Sequence, residues 1–226
     1  MTTKHFLNLR DLSNQDILNI LDRAIERKSQ KQKEKTLIGS KLGLIFEKPS
    51  TRTRISFESG ILNLGGNAIF MSSSDLQLSR GEPVSDTAKV ASSMLDVIAL
   101  RVDKHETLDM FAANSSVPVI NALSDLSHPC QILADLMTFK ENSVSELEKV
   151  CWIGDGNNVC NSYIEASKIL DFELSIYCPK EYSPDPSFLN YAKQNSSFAN
   201  SREEAAKGAD IITTDVWVSM GDEKTK

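Results

Sequence analysis

Leu42-Gly43-Leu44-Ile45-Phe46, then Glu47-Lys48-Pro49-Ser50-Thr51-Arg52-Thr53-Arg54, then residues 55–64, Gly65-Gly66 and residues 68–71 form the stretch that decides the fold. The first run is short, continuously apolar and closed by a charged loop with a proline, which reads as a buried strand. Residues 55–64 are long enough for a helix and stop at two glycines, and residues 68–71 are again a short apolar run. Strand, helix and strand in that order specify a parallel pair joined by a crossover.

Working outward, the same alternation recurs. Helices are expected at 85–95, 107–113 and 131–139, and strands at 97–100 and 117–120. Upstream, Ser13 and Asp16 have capping-box spacing ahead of Ile17, Leu21, Ala24 and Ile25, which recur at helical spacing. A charged stretch at 140–149 precedes a second alternation, with strands at 150–153, 174–178 and 211–214 and helices at 159–170, 187–194 and 201–208. The expected fold is α/β, with two doubly wound parallel-sheet domains at 1–142 and 143–226. The second shows three strands and nothing to cover them after Asp215, so it is expected to be C-terminally truncated.

Composition narrows the function classes. The chain has 226 residues, 25 Lys+Arg against 31 Asp+Glu and a formal net charge of −6, and 40% of its residues are hydrophobic. Its one basic run, residues 27–35, also contains Glu34 and reads as a solvated helix end, so no nucleic-acid partner is expected. No apolar run approaches the ~18 residues that span a bilayer, and the N-terminus lacks a signal-peptide core, so no membrane partner and a cytoplasmic location are expected. Cys130, Cys151, Cys160 and Cys178 form no Cys-x-x-Cys pair, and His5, His105 and His128 have no metal-ligand spacing, so no metal is expected.

The chemistry concentrates in three places. In Ser50-Thr51-Arg52-Thr53-Arg54, three hydroxyls, two guanidinium groups and the N–H groups of a helix start converge after a strand, which suits a phosphate or another oxyanion. His128-Pro129-Cys130-Gln131 opens another helix, with a donor placed to polarise a carbonyl oxygen. Arg101 follows the strand at 97–100, at the carboxyl edge of a parallel sheet, where α/β proteins bind ligands. Gly154-Asp155-Gly156-Asn157-Asn158 superficially looks like a dinucleotide loop but lacks the third glycine, so a nicotinamide cofactor is not expected. Asp215, which follows the last strand, suits an amine-bearing ligand, or is simply a turn residue.

Together these motifs resemble the transcarbamoylase family, over about residues 6–220. Ser50-Thr51-Arg52-Thr53-Arg54 looks like its carbamoyl-phosphate signature and His128-Pro129-Cys130-Gln131 like its second signature, with Arg101 between them. Residues 77–101 are similar to the family's intervening segment, which in relatives reaches a neighbouring subunit's site. Ser219-Met220-Gly221 looks like the loop that closes on ornithine, which makes L-ornithine the leading acceptor.

The resemblance implies that Ser50, Thr51, Arg52 and Thr53 hold the phosphate, that Arg101, His128 and Gln131 hold the carbamoyl end, and that Gln77 reaches the phosphate of an adjacent subunit. Asn158, Asp215, Ser219 and Met220 would hold ornithine. Thr53, Arg101 and His128 would be catalytic, no cofactor would be needed, and the assembly would be a homotrimer making citrulline from carbamoyl phosphate in arginine metabolism. The family's later His-Cys-Leu-Pro loop, its last substrate-binding arginine and its terminal helix have no counterpart before Lys226. The alternatives are a transcarbamoylase for another amine, such as acetylornithine or putrescine, and an inactive remnant that binds carbamoyl phosphate.

Overall fold

The computed structural model describes residues 3–30, 34–76 and 81–215. The backbone packs as two compact units, one formed by residues 1–7 and 26–124 and the other by residues 8–25 and 125–226.

In the first unit, β1 (Lys41–Phe46), β2 (Asn67–Ser72), β3 (Val97–Arg101) and β4 (Val119–Leu123) form an all-parallel sheet in the order β2-β1-β3-β4. Between them run α2 (Thr51–Asn63), α3 (Val84–Met94) and α4 (His105–Asn114). The side-chain period of two sends β1 to both faces. Leu42, Leu44 and Phe46 pack with Ile61 of α2, whereas Ile45 packs with Ala88 of α3 and with Leu108 and Phe111 of α4. Both faces are therefore covered, which is why β1 reads as one continuous apolar run. Phe6 bridges to Ile120 and extends the sheet beyond β4.

In the second unit, β5 (Lys149–Ile153), β6 (Glu173–Tyr177), β7 (Ser196–Phe198) and β8 (Ile211–Thr213) form a second parallel sheet, ordered β7-β6-β5-β8. The connections are α6 (Asn158–Leu170), α7 (Pro186–Tyr191) and α8 (Arg202–Ala206). This unit also takes α1 (Asn14–Ser29) up to Ile25, and α5 (Pro129–Asn142). Asn14 Nδ2 donates to the Ile169 carbonyl at the end of α6, and Lys140 of α5 pairs with Asp22 of α1. Division by packing therefore comes before α5, earlier in the chain than the charged stretch that marks residues 142 and 143.

Both sheets share one topological feature. In the first, the chain moves from β1 to β2 on one side and then returns to place β3 on the other side of β1. In the second, β6 and β7 lie on one side of β5 and β8 on the other. The order thus reverses between β1 and β3 and again between β5 and β8, and at such points a crevice opens at the carboxyl ends of the strands.

Candidate active site

At the first reversal, Phe46 and Arg101 are register partners at the ends of β1 and β3. The Glu47 N–H donates to the Arg101 carbonyl at 2.8 Å, the Glu47 carboxylate accepts from the Asp103 N–H at 2.6 Å, and Lys48 pairs with Asp103 at 3.2 Å. The loops after β1 and β3 are therefore bound into one rim. Ser50 caps α2: its Oγ accepts from the Thr53 N–H at 3.4 Å and donates to Thr53 Oγ1 at 2.9 Å. The first turn of α2 holds no acidic residue, so its dipole and the N–H groups that Ser50 does not cap are available to an incoming anion.

The two arginines of this motif differ. Arg54 pairs with Glu58 at 2.8 Å and lies 3.7 Å over the Phe70 ring, so its charge is committed to the fold. Arg52 is exposed on the first turn. Arg101 is half-buried, and its Nε is buried without a hydrogen-bond partner among the described residues. Burial lowers the proton affinity of Arg101, and the like charge of Arg52 lowers it further, against an opposing pull from Asp103. A buried orphan donor with a second guanidinium beside it is an arrangement that an anion would relieve.

His128 and Gln131 belong to the second unit. His128 is the N-cap of α5, Pro129 is its first residue, and the His128 N–H donates to Ser162 Oγ of α6 at 2.8 Å. The other two histidines are used structurally: His5 Nδ1 accepts from the Val119 N–H, and His105 Nδ1 is 2.7 Å from Ser124 Oγ inside the fold. Burial pushes the Cys130 thiol up to about 12, so it is no thiolate at neutral pH.

At the second reversal, Asn157 caps α6, its Oδ1 accepting from the Val159 and Cys160 N–H groups at 3.0 and 3.2 Å. Its Nδ2 donates to Asp215 Oδ2 at 2.7 Å, which ties the loop after β5 to the end of β8. Asn158, in the first turn of α6, is buried, and Asp215 is exposed. The glycines of this loop have local causes. Gly154 sits at φ 142°, and a Cβ on Gly156 would meet the Pro184 nitrogen at 2.2 Å.

The structure thus brings Ser50, Thr51, Arg52, Thr53 and Arg101 to one sheet edge of the first unit. It brings Asn158 and Asp215 to the corresponding edge of the second, and His128 and Gln131 to the start of α5. Gln77, Ser219 and Met220 lie outside the described residues. The motif that contains Asn157 was legible, but its capping role was not assigned, although an Asn directly before an apolar-periodic helix is a cap signal.

Residues 4–141 match the family model described as aspartate/ornithine carbamoyltransferase, carbamoyl-P binding domain, and residues 147–226 match the Asp/Orn binding domain of the same family. The chain is 53% identical to the ornithine carbamoyltransferase of Acinetobacter baylyi, over 99% of this chain and 74% of that protein. It is 49% identical to an anabolic ornithine carbamoyltransferase of Pseudomonas savastanoi, with the same two coverages. Among solved structures, the anabolic ornithine carbamoyltransferase of Campylobacter jejuni superposes with a TM-score of 0.93 at 48% identity, over 99% of this chain and 76% of that one. The Pyrococcus furiosus ornithine carbamoyltransferase gives 0.91 at 40% identity, over 99% and 75%.

Proposed function

The chain belongs to the aspartate/ornithine carbamoyltransferase family, and from that premise we infer that it transfers the carbamoyl group of carbamoyl phosphate to the δ-amine of L-ornithine, giving L-citrulline and phosphate. The observation that carries this reading is the half-buried Arg101, whose buried Nε has no acceptor among the described residues, at the carboxyl edge beside the Ser50–Thr53 helix start.

In this reading the phosphate lies on the first turn of α2, held by Ser50, Thr51, Arg52 and Thr53. Gln77 of a neighbouring subunit completes the cradle. Arg101, His128 and Gln131 take the carbamoyl end, and Asn158, Asp215, Ser219 and Met220 take ornithine, with the Asp215 carboxylate suited to the α-ammonium. The neutral δ-amine attacks the carbamoyl carbon, and Thr53, Arg101 and His128 donate to the oxygen as it gains charge. Collapse breaks the carbon–oxygen bond to phosphate, which leaves with the electron pair and takes the amine proton. Positioning and fixed charge supply the catalysis, and no cofactor or metal is required.

The domains are read as a carbamoyl-phosphate domain to residue 142 and an ornithine domain beyond it. We place the reaction in arginine biosynthesis, in the cytoplasm, where both substrates are small soluble ions. A homotrimer is part of the same reading. It is supported by Ile55 and Leu62, seven residues apart on α2, which are both 58% exposed.

Purified protein supplied with carbamoyl phosphate and, in parallel, ornithine, acetylornithine, putrescine or aspartate tests the acceptor. Turnover with ornithine at least 100-fold above the others is expected. Faster turnover of any other acceptor would overturn the assignment.

A further inference from the structure

Within the second unit a chain of side chains runs from Gln131 of α5 to Tyr163 of α6. Gln131 Nε2 donates to Asp135 Oδ1 at 2.9 Å, one turn further along α5, and the Tyr163 hydroxyl of α6 donates to Asp135 Oδ2 at 2.8 Å. Tyr163 is 1% exposed, with its ring tilted against Trp152 at 6.0 Å between centroids, so the hydroxyl is held in place.

Both oxygens of Asp135 are therefore engaged, one by Gln131 and one by a fixed donor. A carboxylate only accepts. It decides which end of the Gln131 amide turns towards it: nitrogen to Asp135, leaving carbonyl Oε1 to accept from a ligand. An amide without this partner can present either end.

We propose that Asp135, held by Tyr163, is a positioning residue that fixes the Gln131 amide as an acceptor for the amino group of carbamoyl phosphate. The proposal rests on the reading of Gln131 as a carbamoyl-binding residue. It also assigns a specificity: acetyl phosphate carries a methyl where carbamoyl phosphate carries the amino group and gives Gln131 nothing to accept, and inorganic phosphate lacks that end altogether. Selection of the amino group thus depends on a residue that never touches the substrate.

The test is a set of titrations with carbamoyl phosphate, acetyl phosphate and inorganic phosphate on the wild type, Gln131→Ala, Asp135→Asn, Tyr163→Phe and the Gln131→Ala/Asp135→Asn double variant. Gln131→Ala and Asp135→Asn are each expected to weaken carbamoyl phosphate on the order of 10-fold. Acetyl phosphate and phosphate should stay within about twofold, and the double variant should be no weaker than Gln131→Ala alone. Tyr163→Phe keeps the ring packing and should shift the preference in the same direction by a smaller factor.

Equal weakening of all three ligands by Asp135→Asn, or additive losses in the double variant, would overturn the proposal by showing a general structural role. Loss of carbamoyl-phosphate affinity in Gln131→Ala but not in Asp135→Asn would overturn the proposal alone. Unchanged affinity in Gln131→Ala would overturn the reading of Gln131 and the proposal with it.

Discussion

Arg101 marks how far a single residue can be read from sequence. Its place at the end of a strand puts it at the ligand edge of the sheet, but its buried Nε, unpartnered among the described residues, and the nearby charge of Arg52 emerge only from packing. Arg52 and Arg54 are indistinguishable in the motif, and only Phe70 and Glu58 separate them. Arg52→Ala is therefore expected to weaken carbamoyl phosphate by about 1.5–3 kcal/mol, the value of a charge-assisted bond to phosphate. Urea unfolding should move by less than about 0.5 kcal/mol, because Arg52 is exposed. A calorimetric titration beside a urea curve measures both. Glu165, fully buried in α6, accepts from the Leu9 N–H and pairs with Arg10. Burial raises its proton affinity more than Arg10 lowers it. A carboxyl group whose pKa is raised by folding binds its proton more tightly in the folded state, so its contribution is largest at low pH and is lost as pH rises through the raised pKa. Urea midpoints of the wild type should accordingly fall relative to Glu165→Gln as the pH rises above the ordinary glutamate range. A difference that stays constant over that rise would contradict the shift.

Elements were legible where apolar period or length was clear. The continuous apolar runs of β1, β3 and β5 and the capped helix at Ser13 follow from pattern alone. β7 did not, because Ser196-Ser197-Phe198 is short and largely polar and becomes a strand only by pairing with β6. In α6, helical spacing was visible but burial on every side from Cys160 to Ser167 was not: Asn161, Ser162, Glu165 and Ser167 are polar residues buried because partners await them. Asn161, for instance, donates to the Leu126 carbonyl and accepts from the Asp185 N–H. Such partners lie 24 and 35 residues away, beyond any local pattern. The start of α6 gives a separable prediction, because Asn157 both caps the helix and holds Asp215. Asn157→Ala should cost about 1 kcal/mol of stability through the lost cap. Asn157→Asp keeps a capping oxygen but sets a second carboxylate against Asp215, so stability should hold while the KM for ornithine rises several-fold. Chemical denaturation and initial rates read the two effects independently.

For the whole molecule, alternation of strands and helices establishes parallel sheets but not strand order, and it is strand order that places the candidate residues within each unit. The reversals between β1 and β3 and between β5 and β8 put Arg101 beside the Ser50 helix start and Asn157 beside Asp215. The units are also interleaved in sequence, with residues 8–25 returning to the second unit, because α1 packs with the helices around the second sheet. No linker composition announces that return. Assembly belongs to this scale as well. If the exposed Ile55 and Leu62 of α2 are covered by a second copy, Leu62→Glu should shift sedimentation from trimer towards monomer.

The most direct test of the account is to follow the carbon that moves. Carbamoyl phosphate labelled with carbon-13, incubated with the protein and an equimolar mixture of ornithine, putrescine and aspartate, should yield a carbon-13 ureido signal in citrulline, with phosphate released in equal amount. Label recovered in another acceptor, or phosphate released without labelled citrulline, would contradict carbamoyl transfer to ornithine.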